Sequence, residues 1–220
     1  MDIERRDISF EEAPEAELTI ETRASGQTAI VGYAAVYNRL SLDLGGFREI
    51  ILPGAFDKVL QRQRGKQDVV AVFNHDINIV LGRTSSGTLE LASDEKGLRY
   101  SVTPPATRAD VLELILRKDV KGSSFAFTVA KDGESFSSDP AGAIRNVREV
   151  SGLYDVGPVV NAAYPSSTTG VSMRSYEAWK ASQAETEVEA AVEETPAARI
   201  VRNWVREAAA AWAVVLTHGR

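Results

Sequence analysis

Histidine is the scarcest chemical resource in this chain of 220 residues: only His75 and His218 are present, and cysteine is absent. A side chain that takes up a proton near neutrality is therefore His75, because His218 falls close to the last residue. His75 lies in the block Asn74-His75-Asp76, directly after the apolar run Val69-Val70-Ala71-Val72-Phe73. A histidine at a strand end is placed to meet a group from another strand. The second feature is Lys121-Gly122-Ser123-Ser124-Phe125-Ala126-Phe127, which opens a strand. Alternation puts Phe125 and Phe127 on one face and Ser124, Ala126 and Thr128 on the other, while Gly122 admits a close backbone neighbour. The third is Asp155, a carboxylate inside the apolar stretch Leu153-Tyr154-Asp155-Val156-Gly157-Pro158-Val159. If buried there, it needs a partner. A serine becomes a nucleophile when a base takes its proton, and the base works best when an acidic group fixes its tautomer. His75, Ser124 and Asp155 would supply those parts. Each also fits a plainer role: a half-buried histidine, serines in a turn, an aspartate on a wet strand face. Residue types and spacing alone reach as far as a β-rich domain and possible hydrolase. The missing Gly-x-Ser-x-Gly elbow disfavours an esterase-like enzyme.

The elements that must position these residues are mostly strands. The pattern predicts strands over Leu18 to Arg23, Ala29 to Tyr37, Val69 to Asn74, Ile79 to Thr84 and Thr88 to Ala92. Further strands are predicted over Leu98 to Thr103, Ser124 to Ala130, Ile144 to Val150 and Leu153 to Val160. Asp94-Glu95-Lys96-Gly97 reads as a hairpin tip in which Gly97 takes a positive φ. One helix follows Pro53 and turns Phe56, Val59 and Leu60 inward. Another starts after Thr107 as N-cap and carries Val111, Leu112, Leu114, Ile115 and Leu116. Many strands out of strict alternation with few helices point to a mainly β fold, a β-barrel or sandwich decorated by α-helices.

The expected domain order is a flexible N-terminal arm over 1–17, a β domain over 18–174, an acidic linker over 175–197 and a C-terminal amphipathic helix over 198–220. The arm is charged and patternless. The linker text ASQAETEVEAAVEETPA is acidic and lacks large apolar residues. In the last segment Ile200, Val201, Trp204, Val205, Ala208, Trp212 and Val215 recur at helical spacing. Hydrophobic residues at 44% allow a real core, and a formal net charge of -6 gives no electrostatic case for a nucleic-acid partner. The N-terminus is too charged for a signal peptide and no apolar run is long enough for a membrane span, which points to a soluble intracellular protein. One usable histidine and no cysteine argue against a zinc site, and no organic cofactor is implied.

The blocks Gly32-Tyr33-Ala34-Ala35-Val36-Tyr37-Asn38 and Phe47-Arg48-Glu49-Ile50-Ile51-Leu52-Pro53-Gly54-Ala55-Phe56 are followed by Phe73-Asn74-His75-Asp76 and Leu81-Gly82-Arg83-Thr84. Then come Gly87-Thr88-Leu89, Gly97-Leu98, the Gly122 to Phe127 segment, and Asp155-Val156 leading to Ala163-Tyr164-Pro165. In order and spacing this resembles the prohead (procapsid) maturation proteases of tailed phages and their prophage relatives. That family resembles the herpesvirus assemblins, which implies a closed β-barrel ringed by helices and a site of serine, histidine and a third polar residue. The family's histidine falls on His75, its serine on Ser124 and its acidic residue on Asp155. Gly157 stands where the family usually has serine and Ala162 where it usually has proline, so Glu149 on the preceding strand is an alternative third member. Backbone N–H groups near Ser124, or an arginine, are the two options for an oxyanion hole.

The resemblance implies a serine endopeptidase that cleaves the major capsid protein precursor, scaffold and itself inside the assembling procapsid, in the bacterial cytoplasm. Self-association is a further expectation, as is self-cleavage in the linker that frees a recruiting C-terminal helix. The alternative is a non-catalytic capsid-assembly scaffold that keeps the fold. With His75 as an unperturbed imidazole, the rate would rise at about pH 6 to 7.

Overall fold

The chain alternates short apolar and polar stretches, and each pairs where its inward residues find an apolar neighbour. The computed structural model describes residues 3–24, 26–63, 68–140, 142–162 and 170–193. Clustering of the backbone divides the chain into units Met1–Arg174 and Ser175–Arg220. In the first unit the strands are β1 (Glu4–Ser9), β2 (Thr19–Thr22), β3 (Thr28–Val36), β4 (Phe47–Ile51), β5 (Val70–Phe73), β6 (Asp76–Arg83), β7 (Leu89–Ser93) and β8 (Gly97–Val102). They continue with β9 (Gly122–Val129), β10 (Glu134–Asp139), β11 (Gly142–Val147) and β12 (Val150–Val159). The helices are α1 (Asp57–Gln63), α2 (Ala109–Leu116) and α3 (Gly170–Glu193).

The fold is mainly β, with few helices and a helix toward the C-terminus, but the closed barrel expected from the resemblance does not form. Among the described residues the strands make three open sheets, ordered β1-β9-β12-β5-β6, β2-β3-β8-β7 and β10-β11-β4. The reason lies in β4. It pairs in parallel with β11, which draws Phe47–Ile51 into a separate sheet with the β10–β11 hairpin. Neither β4 nor β10 stood out in the sequence; β10, Glu-Ser-Phe-Ser-Ser-Asp, has little apolar alternation to read.

The core gathers around β9. Phe125 and Phe127 are buried as alternation predicted, with Phe56 of the α1 entry edge-to-face on Phe125 at 5.6 Å between ring centroids. Ile30, Leu98, Tyr100, Leu153 and Val156 complete the cluster, and Val59 of α1 with Val111 and Ile115 of α2 close it. Three local expectations are corrected. Thr107 does not cap α2; it lies in the 3-10 turn Ala106–Arg108, and Arg108 stands at the N-cap without a side-chain capping bond, its guanidinium donating to the Asn78 carbonyl instead. Gly97 takes no positive φ. It is needed because a Cβ there would come within 1.9 Å of the Ala35 carbonyl oxygen across the β3–β8 pair. Residues 175–193 of the expected linker are helical, as part of α3; alanine and glutamate are strong helix formers even without large apolar neighbours. The remainder of that linker and the helix expected over 198–220 lie outside the described residues.

The largest correction is at the N-terminus. Part of the segment taken for an arm is β1, the edge strand that pairs with β9. Its anchor is electrostatic. Arg145 is fully buried; its guanidinium donates to Glu4 at 2.7 and 2.9 Å, to Glu49 at 2.7 Å and to Glu134 at 2.6 Å. Arg6 binds both oxygens of Glu49 at 2.8 and 3.0 Å and reaches Glu4 at 2.8 Å. Burial by itself would raise the Glu49 carboxyl, but the Arg6 and Arg145 guanidiniums outweigh it and hold the group below its ordinary value. The cluster ties β1 to β4, β10 and β11. Removing one partner strands the other charges in a dry interior, which costs about 3–5 kcal/mol, whereas an exposed pair contributes at most about 1 kcal/mol. Arg145→Met is therefore expected to lower unfolding stability by about 3–5 kcal/mol in urea titrations. Lys58→Ala, which breaks the exposed pair with Glu149, should move it by about 1 kcal/mol or less. Equal small effects from both would show that the cluster does not anchor β1.

Candidate active site

His75 reaches its position through a tight turn. Phe73 pairs with Asp76 across β5 and β6, leaving Asn74 and His75 as a two-residue loop. Both have positive φ, 53° and 56°, as a type I′ hairpin turn requires. Asparagine and histidine are among the few residues with side chains that enter this region readily. The turn is pinned to the end of β12. The Asn74 N–H donates to the Pro158 carbonyl at 3.0 Å, and the Asn74 side-chain oxygen accepts the Val160 N–H at 2.9 Å. Because β5 and β12 run parallel, with Asp155 beside Val70, the carboxylate and the turn that follows β5 come to one region of the sheet.

Asp155 is aimed by a bulge. The pairing of β12 with β9 shifts register between Leu153 and Asp155, which sets Asp155 opposite Ala126 and Gly157 opposite Ser124. Directly opposed residues share a sheet face, so Asp155 lies on the face of Ser124. Gly157 permits the approach of β5: a Cβ at this position would lie 1.9 Å from the Val72 carbonyl oxygen. Gly122 acts as its position suggested, with a Cβ there falling 2.4 Å from the Ile8 carbonyl oxygen.

The three residues form one hydrogen-bonded chain. His75 Nδ1 lies 2.7 Å from Asp155 Oδ1, and His75 Nε2 lies 2.5 Å from Ser124 Oγ. Ser124 Oγ is also 2.9 Å from the carbonyl oxygen of Arg6, on β1. The Ser124 residue is only 1% exposed, while the His75 and Asp155 side chains keep 16% and 19% of their surface. Burial disfavours a charged imidazole and is the largest single influence on it. The hydrogen bond to Asp155, the nearby Asp7 carboxylate and the charge of Asp155 together outweigh burial, and the His75 pKa is pushed up to about 9. The expectation of an unperturbed base is corrected.

The other serine and the other acid stand elsewhere. Ser123 faces the core, where its hydroxyl meets the Tyr100 hydroxyl at 3.0 Å. Glu149, the alternative third member, holds Lys58 at 2.5 Å instead of His75. Two neighbours of the site carried no signal in the sequence. Asn74 was visible only as part of a block, with no sign that it fastens the turn. Asp7 Oδ1 lies 3.8 Å from His75 Nε2; its strand is so charged that only the pairing of Asp7 with Ser124 across β1 and β9 reveals it. Beside β1 opens a groove of about 110 Å³ whose lining includes Asp7, Ile8, Leu40, Leu42, Ile51 and Phe125.

The comparisons with known proteins bear on this geometry. No curated protein and no solved structure shows a significant match to the chain. The family model of the caudovirus prohead serine proteases matches residues 15–182, a span that includes His75, Ser124 and Asp155. With that match covering most of its length, the chain belongs to the caudovirus prohead serine protease family.

Proposed function

We propose that this chain is an active serine endopeptidase in which Ser124 is the nucleophile, His75 the general base and Asp155 the residue that orients it. The observation that carries the reading is the continuous hydrogen-bonded chain from Asp155 through His75 to Ser124. Family membership already supports a protease role in phage maturation. The geometry adds the means. With the Nδ1 proton donated to Asp155, Nε2 of a neutral ring faces the Ser124 hydroxyl as acceptor. His75 takes that proton as Ser124 Oγ bonds to the substrate's carbonyl carbon. It then gives the proton to the departing amine as the C–N bond breaks, leaving an ester on Ser124. Water, deprotonated by His75, attacks the ester, and the proton returns to Ser124 Oγ as the acid product leaves. The groove beside β1 shares Asp7 with the site and sets apolar residues such as Leu40, Leu42 and Ile51 beside charged ones such as Glu12 and Arg39, which suits a substrate side chain with a nonpolar body.

The substrates in this reading are capsid-shell precursors, scaffold and the chain itself, cleaved inside the assembling procapsid in the host cell. None of the described helices is long and apolar enough to cross a membrane. The competing reading is a scaffold that keeps the fold without catalysis. Three groups in hydrogen-bond contact favour the enzyme, because a lost activity leaves no reason to hold a buried serine, an imidazole and a carboxylate in line.

Incubation with the capsid precursor, followed by electrophoresis and mass spectrometry, tests the assignment. Ser124→Ala is expected to abolish cleavage with little change in stability, while Ser123→Ala keeps most activity and loses about 1 kcal/mol of stability through the Tyr100 hydroxyl. The reverse ranking would assign the nucleophile to Ser123. Asp155→Asn is expected to lower turnover on the order of 10⁴-fold, because the amide no longer fixes the Nδ1–H tautomer or stabilises the imidazolium. Glu149→Gln should leave turnover within about twofold, as an exposed ion pair does; a large loss there with a small one at Asp155 would exchange their roles. A base whose pKa is about 9 must lose its proton to act, so kcat/KM should climb from pH 7 toward pH 9. A plateau already reached at pH 7 would contradict that.

A further inference from the structure

We propose that Asp7 is a positioning residue that restrains the base: from β1 its carboxylate faces the Nε2 side of His75, and with the adjacent Arg6 carbonyl it holds the site at rest, the serine proton turned away from the imidazole. This rests on the reading of Ser124 and His75 given above. Ser124 has a single hydroxyl proton and two close neighbours, the Arg6 carbonyl oxygen at 2.9 Å and His75 Nε2 at 2.5 Å. A carbonyl oxygen only accepts, so the bond to Arg6 uses the serine proton. The bond to His75 then requires Nε2 to be the donor, while Nδ1 donates to Asp155. With Asp155 ionised, all three bonds coexist only when both ring nitrogens carry protons, and such a ring cannot take another.

The surroundings favour that doubly protonated ring. Asp155 of β12 lies at Nδ1, and Asp7 of β1 lies 3.8 Å from Nε2. Arg5, also on β1, opposes them, and the balance still lies well on the side of the cation. Asp7 is held there by backbone as much as by charge, since it stands opposite Ser124 in the β1–β9 pair and follows Arg6, which the buried cluster fixes. Activation is then the loss of one proton from Nε2 to solvent. Nε2 becomes an acceptor, and the Ser124 hydroxyl turns from the Arg6 carbonyl to His75. A peptide seated in the groove that Asp7 also lines would touch the residue that sets this equilibrium.

The test needs no substrate. The full chain has two histidines, so two sets of imidazole C–H signals can be followed by NMR against pH, with His75→Gln identifying the signals of His75. The wild type is expected to titrate at about 9. In Asp7→Asn the midpoint should fall by about one unit or more, as loss of a carboxylate at this range does, and Asp7→Ala should show the same fall. With cleavage measured alongside, Asp7→Asn should raise kcat/KM at pH 7 about tenfold and move the rising limb of the pH profile by the same amount. An unchanged midpoint in both variants would overturn the proposal, as would a loss of activity without movement of the limb. If no protein cleaves the precursor, the catalytic reading fails while the titration still decides on Asp7.

Discussion

Strand β12 has to satisfy two neighbours at once, and the site depends on how it does so. It runs antiparallel to β9 and parallel to β5, and these two pairings bring Ser124, Asp155 and the His75 turn within reach of one another. The register with β9 is corrected by a bulge just before Asp155. The approach to β5 leaves no room for a side chain at Gly157, and the turn after β5 is fastened to Pro158 and Val160 through Asn74. A slip of one residue on β12 would send Asp155 to the opposite face. The hydrogen bond that orients His75 is therefore a property of the sheet before it is a property of the side chains.

The other side of β9 is held by charge. Glu4 and Arg6 point into an interior already occupied by Glu49 and Arg145, and these four groups, with Glu134, pair with one another. Such clusters give no large net stability over an apolar core, but they penalise every arrangement that leaves a member unpaired. Here the penalty selects the seating of β1 and thus the place of Asp7 and of the Arg6 carbonyl beside Ser124. In the proposed reading, a serine buried between two strands and a histidine facing two carboxylates describe a site at rest. A protease that works among assembling partners gains from being silent until its substrate is in place.

The strands that carry the candidate site are legible in the sequence because they are apolar and alternate. Phe125 and Phe127 announced the core face of β9, and with it the face on which Ser124 lies; the run ending at Phe73 placed His75 at a strand end. The geometry between them was not legible, since register, bulge and parallel pairing are long-range facts. Strand β1 was misread because a buried charged strand looks like a solvated one until its partners are known, and Glu4 and Arg145 lie 141 residues apart. Gly97 was taken for a turn glycine because the Ala35 carbonyl that crowds it belongs to a distant strand. Glu149 and Asp155 look alike in the sequence because the bulge before Asp155 and the Lys58 contact of Glu149 are long-range features. The helical residues of the expected linker follow the helix propensity of alanine and glutamate, which their lack of apolar surface masks in the sequence.

The central claim is that His75 makes Ser124 nucleophilic. A phosphonofluoridate that labels activated serines, followed by intact mass and peptide mapping, measures this without knowledge of the substrate. One adduct per chain is expected, on Ser124, faster at pH 9 than at pH 7 and absent in His75→Ala. Labelling of another serine, or of Ser124 at the same rate without His75, would contradict it.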